Sequence, residues 1–321
     1  MESNNNEEVK WTKDGVRMDL KIGEGSYGRV YEVINKKNDA KAAMKIIKRM
    51  SSVDQKGLIE ANLMRKANET CHQNIAKFYH HEATTDFSYI FMELYDYSLD
   101  DFIADPDIVP TNDINQRSIS FMRQILSGVA ELHKLHLVHR DMKPGNCLVD
   151  GNLCVKIGDF GLAKIYTIDG EEEQYSLPVG SPNFFAPEML ADQPYRLVNF
   201  LNFVFQCSKF TRGPPADVFA CGVIFFQLMT GELPWPLPLK KERNFASFIT
   251  KSTENENWND LISKFDKLSL DALHQLWEVD VAKRTTPAEI MCHPVFKATK
   301  ISSRKRSTTG GEDCAPPMKK I

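Results

Sequence analysis

The sequence is short of several features that would have narrowed its function at once. Its seven cysteines (positions 71, 147, 154, 207, 221, 292 and 314) are odd in number and contain no Cys-x-x-Cys pair. Neither a disulfide framework nor a zinc ribbon is therefore indicated, and a reducing compartment fits. No apolar run is long enough to cross a bilayer; the longest, near residues 197–206, falls well short of the roughly 20 residues a spanning helix needs. No charge dominates either: 40 Lys and Arg against 43 Asp and Glu leave a net −3, too little to attract nucleic acid or a membrane surface. The first ten residues, MESNNNEEVK, are polar and acidic, which is not the pattern of a signal peptide. What remains is a chain of 321 residues, 42% hydrophobic and 26% charged, long enough for one large core or two lobes.

One stretch organises the rest. His139-Arg140-Asp141-Met142-Lys143-Pro144-Gly145-Asn146 is followed by Asp159-Phe160-Gly161. Phosphoryl transfer asks little covalent help of a protein; it asks for positioning and charge neutralisation. In that chemistry Asp141 would orient the attacking hydroxyl or accept its proton, and Lys143 would neutralise the transferring phosphate. Asn146 and Asp159 supply the oxygen ligands that a hard Mg2+ ion requires. With these motifs the chain resembles the eukaryotic protein kinases.

Upstream, Ile22-Gly23-Glu24-Gly25-Ser26-Tyr27-Gly28-Arg29-Val30 reads as strand, glycine-rich turn, strand. Glycines let backbone N–H groups approach phosphates. The same G-x-G-x-x-G could open a dinucleotide fold, but that version needs a helix straight after the glycines. Here Val30, Tyr31 and Val33 continue a strand. The next strand, Ala42–Ile47, carries Lys45 among apolar residues, either as an ordinary solvent-facing lysine or, by the resemblance, as the lysine that holds the α- and β-phosphates. A helix is expected over 53–67, with Glu60 on its inner face beside Leu63, Met64 and Ala67. The resemblance makes Glu60 the ion-pair partner of Lys45; Glu69 lies past the helix end.

Strands are expected at 74–79 and 89–94, the second running into a hinge. Backbone groups at Glu93 and Tyr95 would bind adenine, with Met92 as gatekeeper. Ile22, Gly23, Gly25, Gly28, Val30, Ala43, Lys45, Leu148 and Asp159 complete the nucleotide-binding set that the resemblance implies. Asp100 or Asp101 would contact ribose or a basic substrate residue, although helix capping explains an N-terminal Asp equally well. Residues 113–134 form an amphipathic core helix, and Cys147–Val149 with Val155–Ile157 a hairpin. In the activation segment, 162–185, Thr167, Tyr175 and Ser176 are candidates to pair, once phosphorylated, with Arg140; the acidic run Glu171–Glu173 could supply that charge instead. Ser181, before Ala186-Pro187-Glu188, would bridge Asp141 and Lys143. Arg284 is placed to pair with Glu188.

Two regions stand apart. Asp217-Val218-Phe219-Ala220-Cys221-Gly222 comes some way later than the family spacing, and the excess is the Phe-rich stretch 197–212. It is either a hydrophobic insert that needs a surface to cover or a translated intron. The tail, 298–321, is rich in Lys, Arg, Ser and Pro and is expected to be disordered. Arg304-Lys305-Arg306 with Lys319-Lys320 reads as a nuclear-import signal or as a solubilising tail, and Arg304 stands three before Ser307.

The resemblance implies an α+β, bilobal protein kinase fold over 18–297. A disordered arm (1–17) precedes it. The N-lobe (18–93) is β-rich with one helix, the hinge spans 94–98, and the C-lobe (99–297) is mainly α-helical. It implies ATP and Mg2+ as cofactors and Ser or Thr as acceptor, because Lys143 in K-P-x-N follows the serine/threonine form. Within that class the likeness is to the checkpoint effector kinase of DNA-damage signalling, carried by Lys77-Phe78-Tyr79, Asp105–Pro110, Gly231–Trp235 and Trp258–Leu276. That implies protein substrates with an upstream Arg, a monomer without direct nucleic-acid or membrane partners, and a nuclear or cytoplasmic location. Gly145 departs from the Glu usual there, a residue that helps read basic substrate side chains. Phe219 replaces the usual Trp, and the chain has no Ser-Gln or Thr-Gln pair. The alternative is a pseudokinase-like scaffold, or a faulty gene model with impaired activity.

Overall fold

The computed structural model describes residues 10–25, 28–51, 53–108, 113–168, 171–172, 179–190 and 213–297. The expectations for Ser26 and Tyr27, Tyr175 and Ser176, the stretch 197–212 and the tail fall outside these residues, as does the side chain of Thr167. The described chain forms two compact units, one built from 10–54 and 79–94, the other from 55–78 and 95–296.

The first unit is a five-stranded sheet. Strands β1 (Val16–Gly25), β2 (Gly28–Asn35), β3 (Lys41–Lys48), β4 (Phe78–Ala83) and β5 (Phe87–Met92) lie in the order β1-β2-β3-β5-β4. Alternation along the strands sorts side chains by face. Val33, Ala42, Met44 and Phe91 form one apolar layer with Val16 and Trp11. The arm expected through residue 17 is therefore shorter. Trp11 is 7% exposed and stacks on Tyr79 with centroids 5.5 Å apart, and Lys13 N donates to Glu82 Oε1 at 2.6 Å. The indole supplies apolar area that this face of the sheet would otherwise expose.

The second unit is mainly helical. Helix α1 (Lys56–Ala67) groups with it rather than with the sheet. The segment after α1 explains this: Asn74 Nδ2 donates to Val155 O at 2.9 Å, and Ala76 N donates to Ile157 O at 2.9 Å, pinning 74–76 to the hairpin of the larger unit. The same pinning delays β4, expected from residue 74, to Phe78. The start of α1, expected at residue 53, slips to Lys56, because Asp54 instead closes a turn through its Oδ2 to Met50 N at 3.1 Å.

A short strand β6 (Tyr97–Ser98) leads into α2 (Leu99–Ala104), then α3 (Ile114–Lys134), capped by Asp113, whose Oδ1 accepts from Gln116 N at 3.0 Å. Phe121, Met122, Ile125, Leu126, Val129 and Leu132 bury one stripe of α3 at helical spacing. That stripe meets α4 (Gly213–Thr230), which is buried on nearly every side and acts as the axis of the unit. Ser118 Oγ donates to Leu228 O at 2.7 Å between them. Beyond α4, Phe226, Trp235, Trp258 and Trp277 form one aromatic cluster with α5 (Arg243–Thr250), α6 (Glu256–Ser263) and α7 (Lys267–Leu276). Asp266 caps α7 by accepting from Ser269 N at 2.7 Å.

Candidate active site

The catalytic stretch follows strand β7 (Leu137–Val138). Its shape is imposed by Asp217 on α4. Asp217 is 2% exposed, and its two oxygens accept from His139 N and Arg140 N, each at 2.9 Å. Those bonds hold Arg140 in the left-handed region, φ +65°, an uncommon conformation for a residue with a side chain. His133, in the last turn of α3, adds a third bond from Nε2 at 3.0 Å. Burial pushes the Asp217 carboxyl up. The hydrogen bond and charge of His133, with the His139 N–H, more than offset it, and the net displacement is downward. The sequence reading used Asp217 only as a spacing marker and took α3 as core alone. Both residues belong to the site's support, and the polar His133 at the end of an apolar helix was the available signal.

His139 is fully buried. Its Nδ1 accepts from Asp141 N at 3.3 Å, which leaves the proton on Nε2, donated to Gly158 O at 2.8 Å. Its ring meets Phe160 edge-on at 5.5 Å. One imidazole thus ties the catalytic stretch to Asp159-Phe160-Gly161.

Asp141 lies at the centre. Oδ1 accepts from Ser181 N at 2.8 Å and from Ser181 Oγ at 2.9 Å. Oδ2 accepts from Asn146 Nδ2 at 3.1 Å and pairs with Lys143 Nζ at 3.1 Å. Lys143 Nζ also reaches Ser181 Oγ at 3.2 Å, so Ser181 bridges the two as expected. Asn146, 6% exposed, spends Nδ2 on Asp141 O as well, at 2.7 Å, which turns its amide oxygen away from Asp141. Gly180, at φ +110°, lets the chain pass so closely that a Cβ there would collide with the Arg140 carbonyl. Asp159 is also left-handed, φ +56°, with Gly161 N donating to its Oδ1 at 3.2 Å. Leu148 sits on β8 (Cys147–Val149), between β6 and β9 (Val155–Ile157). Val179, Phe184 and Met189 line a pocket beside Asp141.

Of the remaining sequence-chosen residues of the nucleotide site, Glu60 and Tyr95 belong to the helical unit and the others to the sheet unit. Lys45 pairs with Val30 on one side and Ile90 on the other, and Ala43 pairs with Met92. Val30, Ala43, Lys45 and Met92 therefore share the face opposite the Trp11 layer. Lys45 is 5% exposed, and Glu60 on α1 is 4% exposed; both are charged groups held from water. Packing explains only one of the three glycines. A Cβ on Gly28 would sit 2.5 Å from the Ile46 carbonyl, whereas at Gly23 it would meet only Val30 at ordinary contact and at Gly25 nothing within 4 Å. Open glycines at 23 and 25 suit close approach by a phosphate, and this fits a nucleotide. Ile22, partly buried, lies on the same strand, β1. Past β5, Glu93 and Tyr95 are partly buried, and the Tyr95 hydroxyl accepts from Lys77 N at 2.9 Å.

Asp100 and Asp101 part ways. Asp101 is consumed by a capping box: its Oδ2 accepts from Ser98 N and Ser98 Oγ, each at 2.7 Å. Asp100 is exposed and caps nothing. Arg284 pairs with Glu188 through two bonds, 2.6 and 2.9 Å, donates to Glu278 O and Pro215 O, and lies 5.2 Å over the Phe219 ring.

The chain is 30% identical over 283 residues to the serine/threonine-protein kinase chk-1 of Caenorhabditis elegans, covering 86% of this chain and 51% of that protein. It is 30% identical to the serine/threonine-protein kinase grp of Drosophila melanogaster, covering 85% and 49%. Against the carbon catabolite-derepressing protein kinase of Saccharomyces cerevisiae it is 29% identical, covering 91% and 44%. The chain spans about half the length of the first two relatives. The family described as protein kinase domain matches residues 17–296. With its sheet unit, its helical unit and the Asp141 network, the chain belongs to the protein kinase domain family.

Proposed function

We propose that the chain is an ATP-dependent serine/threonine protein kinase. The observation that carries this is the convergence of Ser181, Lys143 and Asn146 on the two oxygens of Asp141. A carboxylate offers about four lone-pair sites, and four donors fill them here. An incoming hydroxyl takes the place of Ser181 Oγ, between Asp141 Oδ1 and Lys143 Nζ. Asp141 then orients that hydroxyl and takes its proton, and Lys143 neutralises charge on the transferring group. Mg2+ would be held by Asp159 and the amide oxygen of Asn146, two oxygen ligands of the kind it takes alongside phosphates and water. The bound metal supplies charge neutralisation between phosphates. Lys45, positioned by Glu60, would hold phosphate; Gly23, Gly25 and Gly28 would let backbone N–H groups reach it; Ile22, Val30, Ala43, Met92 and Leu148 would enclose the base; and Glu93 and Tyr95 would bind it through their backbone.

The finer reading is carried over from the resemblance to the checkpoint effector kinases, with Lys143 in its K-P-x-N setting marking the serine/threonine form. The chain acts on proteins with Arg ahead of the acceptor, as a monomer, in DNA-damage checkpoint signalling in the nucleus or cytoplasm, without binding nucleic acid or membrane directly. Pocket residues Val179, Phe184 and Met189 would seat the substrate residue beside the acceptor. The test is transfer of labelled phosphate from MgATP to a basic protein, followed by phosphoamino-acid analysis. Label on Ser or Thr that disappears on chelation is expected. Label on Tyr alone, or transfer indifferent to chelation, contradicts the reading.

A further inference from the structure

The entry to the activation segment is fastened on both sides of one short strand. Strand β10 (Lys164–Ile165) pairs antiparallel with β7, Lys164 with Val138 and Ile165 with Leu137. Before it, Arg140 Nε donates to Leu162 O at 2.7 Å. After it comes Tyr166, half-buried, which grips the turn that ends α3. The last carbonyls of a helix have no donor within the helix itself. His136 turns the chain back in the left-handed region, φ +59°, and its N–H donates to His133 O at 3.0 Å. The Tyr166 hydroxyl donates to that same carbonyl, also at 3.0 Å, and Tyr166 N donates to His136 O at 3.0 Å. The phenol ring packs beside both imidazoles, with centroids 6.4 Å from His133 and 5.9 Å from His136.

These bonds close a ring. His133 holds Asp217 through Nε2, Asp217 holds His139 N and Arg140 N, Arg140 holds Leu162, and Tyr166, a little further along the same segment, returns to His133. We infer that Tyr166 is a positioning residue for phosphate transfer. Its hydroxyl fixes the backbone of His133, keeps that imidazole on Asp217, and so steadies the stretch that presents Asp141. Phenylalanine at this position would supply the same ring and leave the bond unmade. Ser181 ties the far end of the activation segment to Asp141 directly; Tyr166 ties the near end to it through Asp217. This inference rests on the protein kinase reading and adds a residue outside the motifs that carry that reading.

The test compares the full chain, Tyr166→Phe, and Ile165→Thr as a control that alters only the neighbouring exposed side chain. Two quantities are read. One is kcat and KM with MgATP and a Ser peptide. The other is amide hydrogen exchange at His139 and Arg140, referred to the buried Leu273 and Leu276 of α7. Tyr166→Phe should lower kcat about 3- to 10-fold, the scale of one hydrogen bond, with KM for ATP unchanged. It should speed exchange at His139 and Arg140 by about the same factor and leave α7 as in the parent, the mark of a local opening. Ile165→Thr should match the parent in both. Unchanged kcat and unchanged exchange in Tyr166→Phe overturn the assignment. So does exchange that quickens equally in the catalytic stretch and in α7, because that marks a general loss of stability. If the parent shows no transfer above an Asp141→Asn blank, the kinase reading fails, and the exchange ratio still decides whether Tyr166 steadies the stretch through Asp217.

Discussion

Ser181 holds Asp141 twice, through its backbone N–H at 2.8 Å and its hydroxyl at 2.9 Å, both on Oδ1. The hydroxyl also lies 3.2 Å from Lys143 Nζ. On the proposed mechanism it therefore stands where the acceptor hydroxyl would come, and it sets the spacing of Asp141 and Lys143 before one arrives. Ser181→Ala keeps the backbone bond and loses the bridge. We expect kcat to fall about 10- to 100-fold, the scale of a misplaced catalytic group, with Ser181→Thr retaining most activity. Ser181→Asp sets a carboxylate against Asp141 and should abolish transfer. Steady-state kinetics on the three variants check this; full activity in Ser181→Ala would contradict it.

Asp217 carries the shape of the catalytic stretch on a carboxyl depressed below its ordinary value of 3.8, burial being outweighed by His133 and the His139 N–H. A depressed carboxyl binds fewer protons folded than unfolded, so stability rises with pH in that range. The contribution is complete above about pH 4 and drains away as pH falls through the lower folded value. Asp217→Asn brings an NH2 group against one of the two backbone N–H donors. It should cost roughly 1–3 kcal/mol near neutrality and flatten the acid limb. Urea unfolding from pH 6 down to pH 2.5 checks this, and an unchanged acid limb in the variant would count against it.

Arg284 is a structural residue. Its side chain is fully buried, while Glu188 keeps 16% exposure. Removing the arginine leaves Glu188 and two backbone carbonyls without their donor. Arg284→Leu should therefore destabilise by about 3 kcal/mol or more, seen as a lower urea midpoint for the helical unit. Arg284→Lys should rescue little, because a point charge cannot form the two parallel bonds. A Lys variant as stable as the parent would refute the bidentate role.

Phe219 lies fully buried between Trp235 and Trp277, 6.2 Å from each, with the Arg284 guanidinium over its ring. The larger residue usual at this position has no space here without repacking two indoles. Phe219→Trp should cost about 1–3 kcal/mol, measured by the same unfolding curves. A stabilised variant would mean that the aromatic cluster carries a void.

Much of the site was legible because phosphotransfer chemistry fixes residue types at short spacing: Asp141, Lys143 and Asn146 fall within one turn of chain, and Asp159 follows one hairpin later. Alternation left Lys45 open between a solvent-facing and an inner lysine, and its burial at 5% exposure came from the structure. What escaped the sequence acts across long separations. Asp217 reaches back 77 and 78 residues to Arg140 and His139, and nothing local marks that bond. Trp11 looked like part of a polar arm because its partner, Tyr79, is 68 positions away, and a lone aromatic has no periodicity to read. The choice between Asp100 and Asp101 needed the capping geometry. The start of α1 slipped by three residues, where Asp54 turns back on Met50, whereas α3 begins at its expected cap, Asp113.

The central claim is that Asp141 orients an acceptor hydroxyl for phosphate transfer from MgATP. The direct measurement is initial-rate transfer to an Arg-containing Ser peptide by the full chain and by Asp141→Asn, each first shown to be folded and to bind nucleotide. The account predicts clear turnover in the parent and a loss of about 100-fold or more in the variant, with ATP binding retained. Equal rates in the two proteins, or no transfer from a folded parent that binds ATP, would contradict it.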